Sequence, residues 1–220
     1  MEGVAIPVMR VQYGYILRGL LIYIVILSLI PLAFTLANPH NFRHFLFKSV
    51  IVFSNLNFYD MLIYLFGVFT IILLYKLSWY FVWRETKEYS VRREYPAKDE
   101  RRYPSLLVLN YALRDRTVRW VLYAIPVLEE TVYRLILSFL IIFDVTLLCL
   151  ECRVLLFIVL SSALYSASHG YYGKWYARYI FSLGVILSIL FVLTGYNLLY
   201  VVFLHELHNV LMLNYRRGRR

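Results

Sequence analysis

The sequence predicts an all-helical, polytopic membrane bundle of about six spans, or up to eight if its shorter apolar segments insert. Three observations lead there. Of the 220 residues, 61% are hydrophobic, and the mean hydropathy is +0.65, whereas a soluble domain is about 45–50% apolar. Several charge-free runs are long enough to cross a bilayer as helix. The formal net charge is +10, and the excess basic residues lie between those runs, as in the cytoplasmic loops of a membrane protein. Most of the aromatic residues, which include 21 tyrosines, lie in the apolar runs rather than among the arginines. No nucleic-acid partner is expected; the bilayer is.

Residues 1–18 carry Glu2, Arg10 and Arg18 and are slightly basic. Gly19–Ala37 is uncharged over a length that spans about 28 Å as helix. That exceeds a signal-peptide core, so an uncleaved first span kinked at Pro31 is expected. Asn38-Pro39-His40-Asn41 is a turn signal. Phe42–Tyr59 reads equally as a loop, an interfacial helix or a re-entrant piece. Met61–Trp83 is the second span; Lys76 snorkels near one end, beside an interfacial belt of Trp79, Tyr80 and Trp83. Residues 84–119 hold ten Lys/Arg against six Asp/Glu and read as a solvated loop, apart from a short amphipathic helix at Leu106–Leu113.

Trp120–Phe143 is the third span, with Pro126 expected to kink or open it. Asp144–Arg153 is a mildly acidic connection. Its Cys149 and Cys152 lack the βαβ setting of a redox motif and are too few for a closed zinc site. They read as incidental thiols near a helix end, with a disulfide open to them if that end faces an oxidising side. Val154–His169 is the fourth span and Tyr171–Arg178 a basic loop. Residues 179–194 and 198–213 form a hairpin of two spans around Gly195-Tyr196-Asn197. The positive-inside rule then puts both termini, the 84–119 loop and the arginine-rich tail in the cytoplasm, with the plasma membrane as the expected location. The resulting organisation is 1–119, membrane helices plus a basic loop; 120–215, a membrane core carrying the chemistry; and 216–220, a basic tail. No internal repeat is visible.

Within the third span stands Glu129-Glu130-Thr131-Val132-Tyr133-Arg134. An ionisable residue at mid-membrane costs roughly 2.5–3.5 kcal/mol on insertion scales and marks a functional site by default. Glu130 and Arg134 are four apart with the carboxylate first, the favourable order for a pair on one helix face. Glu129 projects about 100° away and has no local partner. A buried ion pair that only locks helices together would not require this second glutamate.

The remaining intramembrane polar residues reach a similar depth. At 1.5 Å per residue, Glu129 lies roughly 13 Å from the cytoplasmic end of its span and His205 roughly 12 Å from the same end of the sixth. His169 is shallower, at the end of the fourth span. Removal from water disfavours the charged form of a carboxyl group and brings a general base toward neutrality. A nearby His can help hold the water that such a base deprotonates. His205 and Asn209 share a helix face and both can donate hydrogen bonds to a developing oxyanion. Base, water and oxyanion donors make up a hydrolase for amide bonds. His208 reads as a supporting group behind His205, and Glu206 as a support or a partner for a neighbouring span. No cofactor is expected. The run His205-Glu206-Leu207-His208-Asn209 lacks the two-His i, i+4 zinc motif, although Glu129, His169, His205 and His208 together could hold zinc, which would make a zinc-dependent membrane protease. Two further readings stay open: a non-catalytic scaffold or immunity protein on the same fold, and a proton-coupled transporter, which is expected to show internal repeats.

These residues resemble the CAAX protease and bacteriocin-processing family, which includes the type II CAAX prenyl endopeptidases. The pattern E-E-x-x-x-R is met by Glu129 to Arg134 and H-x-x-x-N by His205 to Asn209. F-x-x-x-H is met by Tyr165-Ser166-Ala167-Ser168-His169, with Tyr for Phe. The resemblance covers residues 120–213. It implies a glutamate-dependent intramembrane endopeptidase in which Glu129 and His169 activate water and His205 and Asn209 form the oxyanion hole. Glu130 and Arg134 would support the site and contact substrate. The Tyr165 departure is expected to touch packing more than catalysis. The implied partner is a membrane-associated, prenylated CAAX-like protein, although the family's prenyl-protein members have about eight spans. Oligomeric state is not legible.

Overall fold

A computed structural model describes residues 21–30, 32–33, 36, 39–51, 58–91, 115–144, 147–169 and 174–218. The described residues form helices and turns. They are α1 (Leu21–Ile30), α2 (Pro39–Ile51), α3 (Phe58–Val91), α4 (Arg116–Glu130), α5 (Leu150–Ser168), α6 (Lys174–Leu193) and α7 (Leu198–Gly218). Beyond Glu130, α4 runs on through two wide-turned π-helical stretches, Thr131–Ile136 and Phe139–Asp144.

Among the described residues, three helical segments are long and apolar enough to cross a membrane: Phe58–Ser78, Leu150–Ser168 and Trp175–Leu193. Two shorter apolar helices, Leu21–Ile30 and Leu198–Asn214, accompany them. Leu62, Phe66, Phe69 and Leu73 on α3 and Leu155 and Val159 on α5 are exposed. A contiguous apolar surface of this kind is normal for helices whose solvent is lipid. The protein is an integral membrane helix bundle, and all six segments expected to span are helical over their described residues except at two ends, where His169 and Thr194 are turns.

Local signals set the helix ends. Asp115 caps α4: its Oδ1 accepts from the backbone N–H of Thr117 at 2.7 Å and of Val118 at 3.1 Å, satisfying two of the donors a helix start leaves open. The α6–α7 hairpin turns at Gly195 and Tyr196, with φ of +67° and +68°. Asn197 then uses Oδ1 to accept from the Tyr200 N–H at 3.0 Å, while its Nδ2 donates to the Tyr64 hydroxyl at 2.8 Å. One side chain thus starts α7 and ties the hairpin to α3.

The layers pack through small residues where backbones must approach. Helices α5 and α6 lie against each other along much of their length. Ser161 and Ser188 hydrogen-bond across that contact at 2.7 Å. A Cβ on Gly184 would sit 3.1 Å from the Ser162 Cα and 3.2 Å from the Tyr165 ring. With no hydrophobic drive between helices in lipid, small residues and interhelical hydrogen bonds are the usual means of close association.

Several expectations change. The mixed stretch after residue 41 is helical as far as Ile51. Helix α3 continues to Val91, beyond the span end expected at Trp83. The amphipathic helix expected at Leu106–Leu113 lies outside the described residues. Pro126 sits inside α4, and the wide turns begin after Glu130 rather than before Glu129. The cysteines are not separate thiols: Cys149 and Cys152 form a disulfide at the start of α5. The bonded pair are the residue preceding α5 and one in its first turn, close enough for their side chains to meet.

Candidate active site

Four helices bring the site together. Helix α4 supplies Glu129, Glu130 and Arg134, α5 supplies Tyr165 and ends at His169, α7 supplies His205, and α1 adds Tyr23. The successive glutamates point to different neighbours, as a 100° step requires. Glu130 is fully buried and contacts two positively polarised groups: Oε2 lies 3.2 Å from Arg134 Nε, and Oε1 lies 2.8 Å from His205 Nδ1. Arg134, also fully buried, donates from Nη2 to the Gly184 carbonyl at 3.3 Å and lies over the Tyr165 ring at 4.7 Å. The missing Cβ at Gly184 lets α6 bring that carbonyl close.

His205 stands between the two glutamates. Its Nδ1–H donates to Glu130, which leaves Nε2 directed at the rest of the site. There Nε2 meets the Tyr165 hydroxyl at 3.0 Å and faces Glu129 Oε2 at 3.8 Å. Such a second-atom contact is what fixes an imidazole's tautomer and ring orientation.

Glu129 is 1% exposed and is not unpartnered. The Tyr23 hydroxyl donates to its Oε1 at 2.7 Å, and His169 Nε2 faces the same oxygen at 3.6 Å. Around His169, Nδ1 lies 2.9 Å from the Tyr165 carbonyl. A carbonyl only accepts, so Nδ1 carries the proton and a neutral His169 presents the Nε2 lone pair to Glu129. A carboxylate and an imidazole lone pair cannot bond to each other. Both can accept from a molecule that offers two hydrogens.

Glu129, Tyr165, His169, His205, His208 and Asn209 all line one cavity of about 80 Å³. A water occupies about 30 Å³ of liquid, so the cavity suits a water and a single small polar group rather than a bulky chain. His208 is buried and hydrogen-bonded through Nε2 to the Tyr179 hydroxyl; α6 therefore fixes it from behind. Glu206 is half-buried, and its Oε2 has no hydrogen-bond partner among the described residues. No group of three His, Cys, Asp or Glu side chains among the described residues is arranged to hold a metal ion.

Sequence reasoning placed eight residues here, and the structure brings all eight into one neighbourhood. It missed Tyr23, Tyr179 and Gly184. The Gly184/Ser188 spacing in α6 was a readable small-residue signal; nothing singled out Tyr23 among so many tyrosines. The hydroxyl of Tyr165 also proves to be a polar contact of the site, not only a packing variant.

No curated protein and no solved structure matches the chain. A family model does, over α4 to α7, including all three motifs. Across residues 117–211 the chain matches the Rce1-like family, described as type II CAAX prenyl endopeptidase Rce1-like.

Proposed function

We propose that this protein is an intramembrane endopeptidase that cleaves a peptide bond of a membrane-associated, prenylated CAAX-like protein. The observation that carries the reading is the pairing of Glu129 with His169 Nε2, 3.6 Å apart at the edge of one small cavity. A water that donates to both is oriented and, as Glu129 takes one proton, becomes the nucleophile. It attacks the scissile carbonyl carbon. The carbonyl oxygen becomes an oxyanion, stabilised by the Asn209 amide and by the Nε2–H that His205 carries in its imidazolium form, with Nδ1–H held on Glu130. Collapse of the intermediate breaks the C–N bond, and the proton held by Glu129 passes to the leaving amine.

Glu130 and Arg134 serve the reaction through placement. Glu130 holds Nδ1 of His205, and Arg134 neutralises Glu130 while packing on Tyr165. The family match supports a protease; the glutamate mechanism, the substrate and a plasma-membrane location with cytoplasmic termini are part of this proposal.

The test uses the purified protein in lipid with a fluorogenic farnesylated CAAX peptide, with and without chelator, beside Glu129→Ala. Chelator-resistant cleavage that is lost in the variant is expected. Cleavage abolished by chelator would replace the mechanism with a zinc-dependent one. Absence of cleavage in the unaltered protein, with a folded bundle, would favour a scaffold or another substrate.

A further inference from the structure

A second, larger cavity lies away from these residues. It measures about 630 Å³ and is bordered by α2, the end of α4 and the α6–α7 turn. Phe139 is ten positions beyond Glu129 on one helix, which places the cavity about 15 Å along the axis from the catalytic glutamate. Its volume falls within the roughly 300–1,000 Å³ typical of sites for small ligands.

Its wall is aromatic and its mouth is basic. Phe45, Phe139, Phe143 and Tyr196 form the wall, while His44 and Lys48 border it from α2. These two side chains are four apart and therefore share a face of α2, and both are exposed; Lys48 brings a charge and His44 a ring N–H donor. Helix α2 has Arg43, His44 and Lys48 but no acidic residue. It buries Phe42, Phe45 and Ser49 while leaving Phe47 exposed. Phe42 and Phe45 pack into the protein core against Phe139, while the exposed Phe47 and the basic face suit a helix whose outer side meets the membrane interface. Arg153 adds positive charge at this end. It donates to the Ile142 carbonyl, and its Nε has no hydrogen-bond partner among the described residues. Burial raises the Tyr196 phenol above its usual range, and the Arg153 charge opposes that.

We propose that this cavity is a binding site for one anionic phospholipid. An acyl chain fills the space between Phe45, Phe139, Phe143 and Tyr196, and the headgroup phosphate lies between His44 and Lys48. Charge complementarity selects the headgroup, because a zwitterionic lipid offers the same chain with no net charge to Lys48. The site is independent of the peptidase reading: the two cavities share none of their lining residues.

The experiment is native mass spectrometry of the delipidated full-length protein titrated with phosphatidylglycerol or phosphatidylcholine. One phosphatidylglycerol is expected to be retained in preference to phosphatidylcholine. Lys48→Glu and His44→Glu, at exposed positions, should each weaken retention about tenfold, and Lys48→Arg should preserve it, with helical circular dichroism unchanged in all three. Equal retention of both lipids, or unchanged retention in both glutamate variants, would overturn the proposal. Displacement of phosphatidylglycerol by a farnesylated CAAX peptide would also overturn it and assign the cavity to the substrate.

Discussion

The Tyr165 hydroxyl lies 3.0 Å from His205 Nε2, the nitrogen left free once Nδ1 is committed to Glu130. This contact ties α5 to α7 at the point where the proposed oxyanion forms. With a protonated Nε2, the tyrosine oxygen accepts and its own O–H is free to extend the donor set. Tyr165→Phe keeps the ring against Arg134 and removes only this hydroxyl. Because a typical hydrogen bond contributes about 0.5–1.5 kcal/mol, kcat should fall about two- to tenfold with KM little changed. Unchanged kcat would make Tyr165 a packing residue.

Glu129→Gln separates chemistry from folding. The amide keeps an oxygen that accepts from Tyr23 but cannot take a proton from water. General-base catalysis contributes about 10²–10⁴-fold, so cleavage should fall by at least that range while the melting temperature moves little. Tyr23→Phe should give a smaller loss, since it only orients the carboxylate. A Glu129→Gln protein that still cleaves would remove Glu129 from the mechanism.

The Glu130–Arg134 pair should govern stability instead. Both side chains are fully buried, and removing one partner of a buried pair leaves an uncompensated charge, costing about 3–5 kcal/mol. Glu130→Leu and Arg134→Met should each unfold at markedly lower temperature in detergent. The double variant should recover part of the loss, but not all, because His205 Nδ1 would still lack its acceptor. Additive losses in the double variant would show that the two side chains do not act as a pair.

Much of this arrangement was legible because charge in an apolar span is conspicuous. Glu130 and Arg134 announced their pairing through spacing, and Gly195 announced the hairpin. Other features had no local signature. Tyr23 looks like any tyrosine in an apolar run, and which face of α1 meets the bundle depends on helices a hundred residues away. The wide turns after Glu130 reflect how α4 packs, whereas Pro126 drew attention to the wrong side of the motif. The Cys149–Cys152 pairing depends on how the chain enters α5.

Gly184 is expected to be intolerant of side chains. A methyl there would already stand 3.1 Å from backbone of Ser162, which cannot rotate away. Gly184→Val should force α6 from α5, costing about 1–3 kcal/mol, and should draw the carbonyl away from Arg134. Thermal unfolding and cleavage should fall together. Native stability in Gly184→Val would mean that the α5–α6 contact is looser than its serine bridge indicates.

The disulfide offers an independent test of orientation. Cys149 and Cys152 precede and open α5, whose other end leads to His169, while α7 runs from the hairpin at the Cys149 end to Gly218 at the catalytic end. Disulfides persist in oxidising compartments, and arginine-rich tails tend to stay in the cytoplasm; the two rules together predict opposite ends of the bundle on opposite sides of the membrane. In sealed vesicles, after reduction, a membrane-impermeant maleimide should label Cys149 and Cys152 from the non-cytoplasmic side only. Arg219→Cys, in a Cys149→Ser, Cys152→Ser background, should label from the cytoplasmic side only. Because the loop closed by this disulfide is very short, its loss should lower stability far less than bridging a long loop would raise it, so the background remains folded. Labelling of both sites from one side would break this topology.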